Sequence, residues 1–192
     1  MKAYRELPEG YTLHEHIDLE KDKKRAIWLN VMTIALFLGV FAFLPVIGID
    51  ISVTLPGIFF LFVGIVLYIV AHEIIHGIFF RLDRNLKVRY QFHGFAASAA
   101  APDAYLTKPH FLIVGLAPFF VLTAVFALIL PLTSGGVFVL FYCLFALHIS
   151  GCAGDFYVTY KLMRMPKSTL VEDYGIGMRF FTPEDSGTDA GS

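Results

Sequence analysis

Four long apolar runs separated by short polar stretches dominate the chain: Trp28 to Ile49, Leu55 to Phe80, Phe111 to Leu132 and Val137 to Tyr160. Crossing a hydrocarbon layer of about 30 Å takes roughly 20 helical residues, so the pattern predicts four transmembrane helices. Between the second and third runs the period changes. LKVRYQFH, from Leu86 to His93, alternates apolar and polar residues, and Gly94 follows at a turn position. Period two predicts strand, read here as a short hairpin whose free edge could pair with an extended peptide, or as an amphipathic strand lying on the membrane. The expected fold class is an all-α membrane protein of four transmembrane helices, with a short cytoplasmic β-hairpin between helices 2 and 3. The expected organisation is a cytoplasmic segment over 1–27, a four-helix unit over 28–160 with an inner loop at 81–110, and a cytoplasmic segment over 161–192 ending in a disordered tail.

Composition agrees with this pattern. Of 192 residues, 57% are hydrophobic and 16% charged, the balance of an integral membrane protein rather than a soluble domain. A formal net charge of −1 gives no reason to expect a nucleic-acid partner. All 15 Lys and Arg lie before Trp28, between Arg81 and Lys108, or after Tyr160, while IDISVT and TSGG carry none. Basic segments stay inside, so both termini are expected to be cytoplasmic and the protein to be a multi-pass component of the cell membrane. A cleaved signal peptide is not expected, because the first 27 residues carry Glu6, Glu9, Glu15, Asp18, Glu20 and Asp22 and no apolar core. Cys143 and Cys152 fall nine residues apart in one predicted helix. That puts them about 13 Å apart, too far for a disulfide.

The second run contains a contradiction. In IVAHEIIHGIFF, from Ile69 to Phe80, two histidines and a glutamate interrupt lipid-like sequence. Four-residue spacing places His72 and His76 on one helical face, the arrangement by which HExxH holds zinc with Glu73 as acid/base. A packed histidine pair is the bland alternative. Ionisable groups at mid-membrane cost roughly 2.5–3.5 kcal/mol on insertion scales, which favours a functional reason for them. A catalytic zinc takes three protein ligands. Between Glu73 and Glu172 the acids are Asp83, Asp103 and Asp155, and only Asp155 lies within an apolar run. His76 precedes Arg81 by five residues and Asp155 precedes Lys161 by six, on helices expected to descend in the same direction. Their depths therefore match within about one turn. Ser150, Gly151 and Gly154 are small enough for close helix approach, although ordinary packing would use them too.

Other polar residues receive weaker readings. His148, seven residues before Asp155, suits a buried partner behind the ligands rather than a ligand. His14 and His16 fit an exposed strand face, and Asn30 and Pro118 fit helix packing or a kink. His93, His110 and Asp103 fall in the inner loop, where any could line an entrance. Glu172 is the runner-up third ligand.

HEIIHG within a membrane helix, LTKPHFLIVGLAPFF opening the third and GD late in the fourth together resemble the site-2 proteases, a class of intramembrane metalloproteases. The chain is more closely similar to a family of membrane zincin peptidases related to them. The likeness runs roughly from Ala26 to Asp173. It implies Zn²⁺ on His72, His76 and Asp155, Glu73 as catalytic acid/base, and a membrane-protein or peptide substrate cut in or near a transmembrane segment. Many site-2 proteases carry an Asn and a Pro shortly before the third ligand, where this chain has HISGCAG, and no PDZ-like insert is present. The alternatives are a catalytically inactive protease-like scaffold and a metal-binding or transport protein. Transport has no use for a glutamate in the register of Glu73.

Overall fold

The computed structural model describes residues 3–47, 54–84, 86–92, 97–175 and 177–184. Ile49 at the expected end of the first helix, the turn at His93 and Gly94, and the tail over 185–192 lie outside the described residues.

Helix starts follow their caps. Asp22 accepts the N–H of Arg25 at 3.0 Å and opens α1 (Lys23–Phe41), five residues ahead of the apolar run. Thr54 accepts the N–H of Gly57 and Pro56 occupies the first turn of α2 (Leu55–Phe80), where a missing N–H costs nothing. Pro109 plays the same part in α3 (Lys108–Ile129), which therefore begins three residues before Phe111. The fourth run is two helices instead of one: α4 (Gly135–Gly151) ends at Cys152, whose backbone (φ −77°, ψ 3°) leaves helical geometry before α5 (Ala153–Met163) begins. Four helical spans, Lys23–Phe41, Leu55–Phe80, Lys108–Leu132 and Gly135–Met163, are long and apolar enough to cross a membrane. Their outward faces present residues such as Ile34, Phe59, Phe62 and Leu128. Asn30 is exposed on α1, which buries no residue, so it serves no packing there.

The all-α expectation is overturned. The chain is mixed α/β, with six antiparallel strands: β1 (Ala3–Tyr4), β2 (Tyr11–Asp18), β3 (Arg89–Phe92), β4 (Ala97–Thr107), β5 (Leu170–Asp173) and β6 (Gly177–Pro183). Their order is β1-β4-β5-β6-β2, with β3 also on β4. The register runs from Tyr11↔Pro183 to Asp18↔Gly177, so the two ends of the chain, expected to be separate segments, zip together. Strands β3 and β4 pair from Arg89↔Ala100 to Phe92↔Ala97, but β4 bends at Asp103 (φ 60°) and continues against β1 and β5. What the sequence pattern suggested as a stand-alone hairpin is thus one margin of a larger sheet.

The sheet is held to the helices by apolar packing. Ile17, Leu106, Val171 and Phe180 from the strands bury against Phe80, Phe111 and Leu162 from the helices. A second cluster, with Ile75, Ala117, Leu122, Phe126 and Leu144, lies among the helices alone. Glu15 on β2 adds charge contacts to Lys161 on α5 and, at 3.6 Å, to Arg25 on α1. The result places strands β4, β5 and β6 against the end of α2 that carries His72, Glu73 and His76.

Candidate metal centre

Helical periodicity puts His72 and His76 on one face of α2, a turn apart. Their Nε2 atoms are 3.1 Å from each other. Asp155, in the first turn of α5, presents Oδ2 to His72 Nε2 at 3.4 Å and Oδ1 to His76 Nε2 at 3.5 Å. Each imidazole is engaged at its other nitrogen. His76 Nδ1 lies 3.0 Å from the carbonyl of Val114 and donates to it, and His72 Nδ1 lies 3.3 Å from the Tyr68 hydroxyl. Outer partners of this kind fix ring orientation and leave Nε2 free for a cation. Two imidazole nitrogens and a carboxylate oxygen, all within 4.8 Å of one another in a largely buried setting, fit the donor set of a catalytic zinc with an open fourth position.

Glu73 follows His72 directly yet stands outside that trio. Its carboxylate accepts the backbone N–H of Ala99 at 2.5 Å, which anchors α2 to the start of β4. His72, Glu73, His76 and Asp155 line one cavity of about 250 Å³ that extends to Ser98 and Asp173 on the sheet. Asp173 is buried, and burial pushes its carboxyl up to about 7, opposed by the N–H of Gly175 and by His76.

Gly151 and Gly154 flank the break between α4 and α5. A Cβ on Gly151 would stand 2.5 Å from the Tyr68 hydroxyl, whereas one on Gly154 would meet nothing within 4 Å. Gly151 makes room for the group that holds His72; Gly154 makes room for nothing comparable. His148 is fully buried one step behind, with Nε2 3.0 Å from Thr123 Oγ1 and Nδ1 3.8 Å from Cys152 Sγ. Its ring meets that of Tyr68 edge-on at 5.9 Å. His72, His148 and Cys152 form a second set of ligand atoms within 4.8 Å, although the Tyr68 hydroxyl already occupies the His72 nitrogen distal to Asp155.

The remaining candidates go elsewhere. Glu172 pairs with Arg179 at 3.1 Å, Asp83 accepts the N–H of Ala3, and His110, fully buried, has Nε2 3.3 Å from the carbonyl of Phe79. Asp103 forms the bend in β4, and His14 and His16 are exposed on β2. Sequence reasoning missed Tyr68, which its position four residues before His72 could have revealed, and missed Asp173, for which no local signal exists.

A sequence profile of the family described as "Putative zincin peptidase" matches residues 64–170. The chain belongs to this zincin peptidase family. The matched stretch contains Tyr68, the HEIIH run of α2, all of α3 and Asp155. Zincin membership suggests a metallopeptidase and implies zinc as the metal. No curated protein and no solved structure matches the chain.

Proposed function

We propose that this zincin peptidase is an intramembrane zinc metalloprotease of the site-2 type, hydrolysing peptide bonds in or near the transmembrane segments of membrane proteins. The observation that carries this reading is the meeting of His72, His76 and Asp155 within 3.5 Å, inside helices long and apolar enough to cross a bilayer. His72, His76 and Asp155 would hold the metal. When bound, zinc supplies Lewis acidity that makes water a nucleophile near neutral pH and withdraws charge from a carbonyl oxygen.

The chain's own residues do the rest. Glu73 takes the proton of the attacking water and returns it to the leaving amine. Its bond to the Ala99 N–H keeps one carboxylate oxygen fixed, so the acid/base does not swing away from the cavity. Val114 and Tyr68 hold the two imidazoles in the orientation that turns both Nε2 atoms toward Asp155. A helical segment hides its carbonyls in hydrogen bonds, so the substrate must enter extended. Strand segments from both chain ends and from the loop between α2 and α3 share one sheet, which supports the sheet facing the cytoplasm, the side that the basic residues also favour.

The test is cleavage of single-span membrane proteins co-reconstituted with the protease in vesicles. Wild type should release fragments, and Glu73→Gln should slow that release at least about 100-fold. Equal rates for the two proteins would remove Glu73 from the chemistry and this mechanism with it.

A further inference from the structure

The cavity beside the metal ligands has a second polar pole, on the sheet. Asp173 at the end of β5 is 8% exposed and lines the same cavity as Glu73 and Asp155. The N–H of Gly175 donates to its Oδ1 at 2.9 Å. Ser98, near the start of β4, stands beside that turn, and its Oγ is buried with no hydrogen-bond partner among the described residues. Buried hydroxyls in folded proteins are almost always paired, so at this cavity wall a water or a ligand group can supply the partner of Ser98.

Charge points to the kind of ligand. The described lining of this cavity contains three carboxylates, Glu73, Asp155 and Asp173, and no Lys or Arg. Two neutral imidazoles and a divalent cation leave Asp155 and Glu73 in balance with the metal. Asp173 is the carboxylate in excess. A buried carboxylate without a counter-charge is costly, and a ligand that brings a positive charge and N–H donors removes that cost.

We propose that Asp173 and Ser98 form a subsite that takes a positively charged amine or guanidinium of the substrate, from a Lys or Arg side chain or a free N-terminus, beside the scissile bond. The proposal rests on the peptidase reading of the same cavity. It gives the enzyme a preference for a basic residue at the membrane boundary of its substrate, or for a terminal amine, without any further element of structure.

The test uses zinc-loaded, full-length wild-type protein, so that Glu73 keeps its charge, and reads binding in the first phase after mixing, before turnover consumes the peptide. Affinities are measured for an acetylated, amidated pentapeptide of alanines with a central lysine, for the same peptide with norleucine at the centre, and for the norleucine peptide with a free N-terminus. A charge-assisted hydrogen bond to a buried carboxylate should make one of the two cationic peptides bind about 10-fold or more tightly than the neutral one. Which one it is separates side-chain from terminal recognition. Adding Asp173→Asn should bring the difference to within about two-fold, and adding Ser98→Ala, a smaller change, should narrow it by a few-fold. Equal or undetectable binding of all three peptides overturns the subsite, as does a cationic preference that survives Asp173→Asn. The first comparison needs no change at Asp173, so it stands whatever that variant does to folding. Cleavage of single-span membrane proteins by wild type in vesicles is followed in parallel. A cationic preference with no cleavage would sink the peptidase reading and leave the subsite in place.

Discussion

Glu73 and Asp155 are two carboxylates beside the same pair of imidazoles, and the chain holds them differently. Asp155 faces both Nε2 atoms, whereas Glu73 is tied to a strand N–H. The meeting of the histidines with Asp155 was legible because it depends on helical spacing and on depth, both of which a membrane segment writes into sequence. Asp173 was not legible. It reaches the cavity only because β5 pairs with β4 and β6, and LVED has no local feature that says so. Its protonation gives a prediction for metal-free protein. The carboxyl stands near 7 in the fold against an ordinary 3.8, so the folded state keeps a proton that the unfolded chain releases. This group therefore costs nothing below about pH 4, and stability falls as pH rises from about 4 to about 7. Thermal unfolding across that range should show the decline in wild type and a flatter profile in Asp173→Asn. Parallel profiles would mean that Asp173 ionises freely.

At the scale of elements, the fourth span shows why one run of small residues carries two meanings. SGCAGD suggests close helix approach at both glycines, but only Gly151 is filled by a neighbour, the Tyr68 hydroxyl. Gly154→Ala should leave zinc affinity within about two-fold of wild type, since its new methyl meets nothing. Gly151→Val should displace Tyr68 from His72 and weaken zinc about 10- to 100-fold, the usual loss when an outer partner of a metal ligand is removed. Competition with a chromogenic chelator measures both. Equal losses at the two positions would return them to generic packing. Helix ends were the other error of this scale, because Asp22 and Pro109 start helices in polar sequence ahead of the apolar runs. Hydrophobicity marks what the bilayer takes, and caps mark where the helix begins.

Over the whole molecule, the four spans were legible and the sheet was not. Long apolar runs announce themselves, whereas these strands draw on both ends of the chain and on a central loop. ASAAAPDAYLT in β4 is alanine-rich, holds Pro102 and bends at Asp103, so no period of two survives in it. Strand β2 does alternate in part, but its partner β6 lies about 160 residues away, in a stretch expected to be a separate cytoplasmic segment. The sheet has a consequence for topology. The sheet joins strands from both chain ends and from the α2–α3 connection, so a bilayer crossed by all four spans would have those regions on one side and the α3–α4 connection on the other. Reporters fused after Asp83 and after Lys167 should both read cytoplasmic, and one at Ser134 external. Opposite sides for the first two would be incompatible with the sheet.

His72, His76 and Asp155 are expected to hold zinc, and Glu73 is not. Metal analysis of the purified protein tests this directly. Wild type and Glu73→Gln should carry about one zinc per chain, and Asp155→Ala less than about a tenth of that, because two histidines alone make a poor site. An Asp155→Ala protein that retained full zinc, or a wild type that bound none, would contradict it.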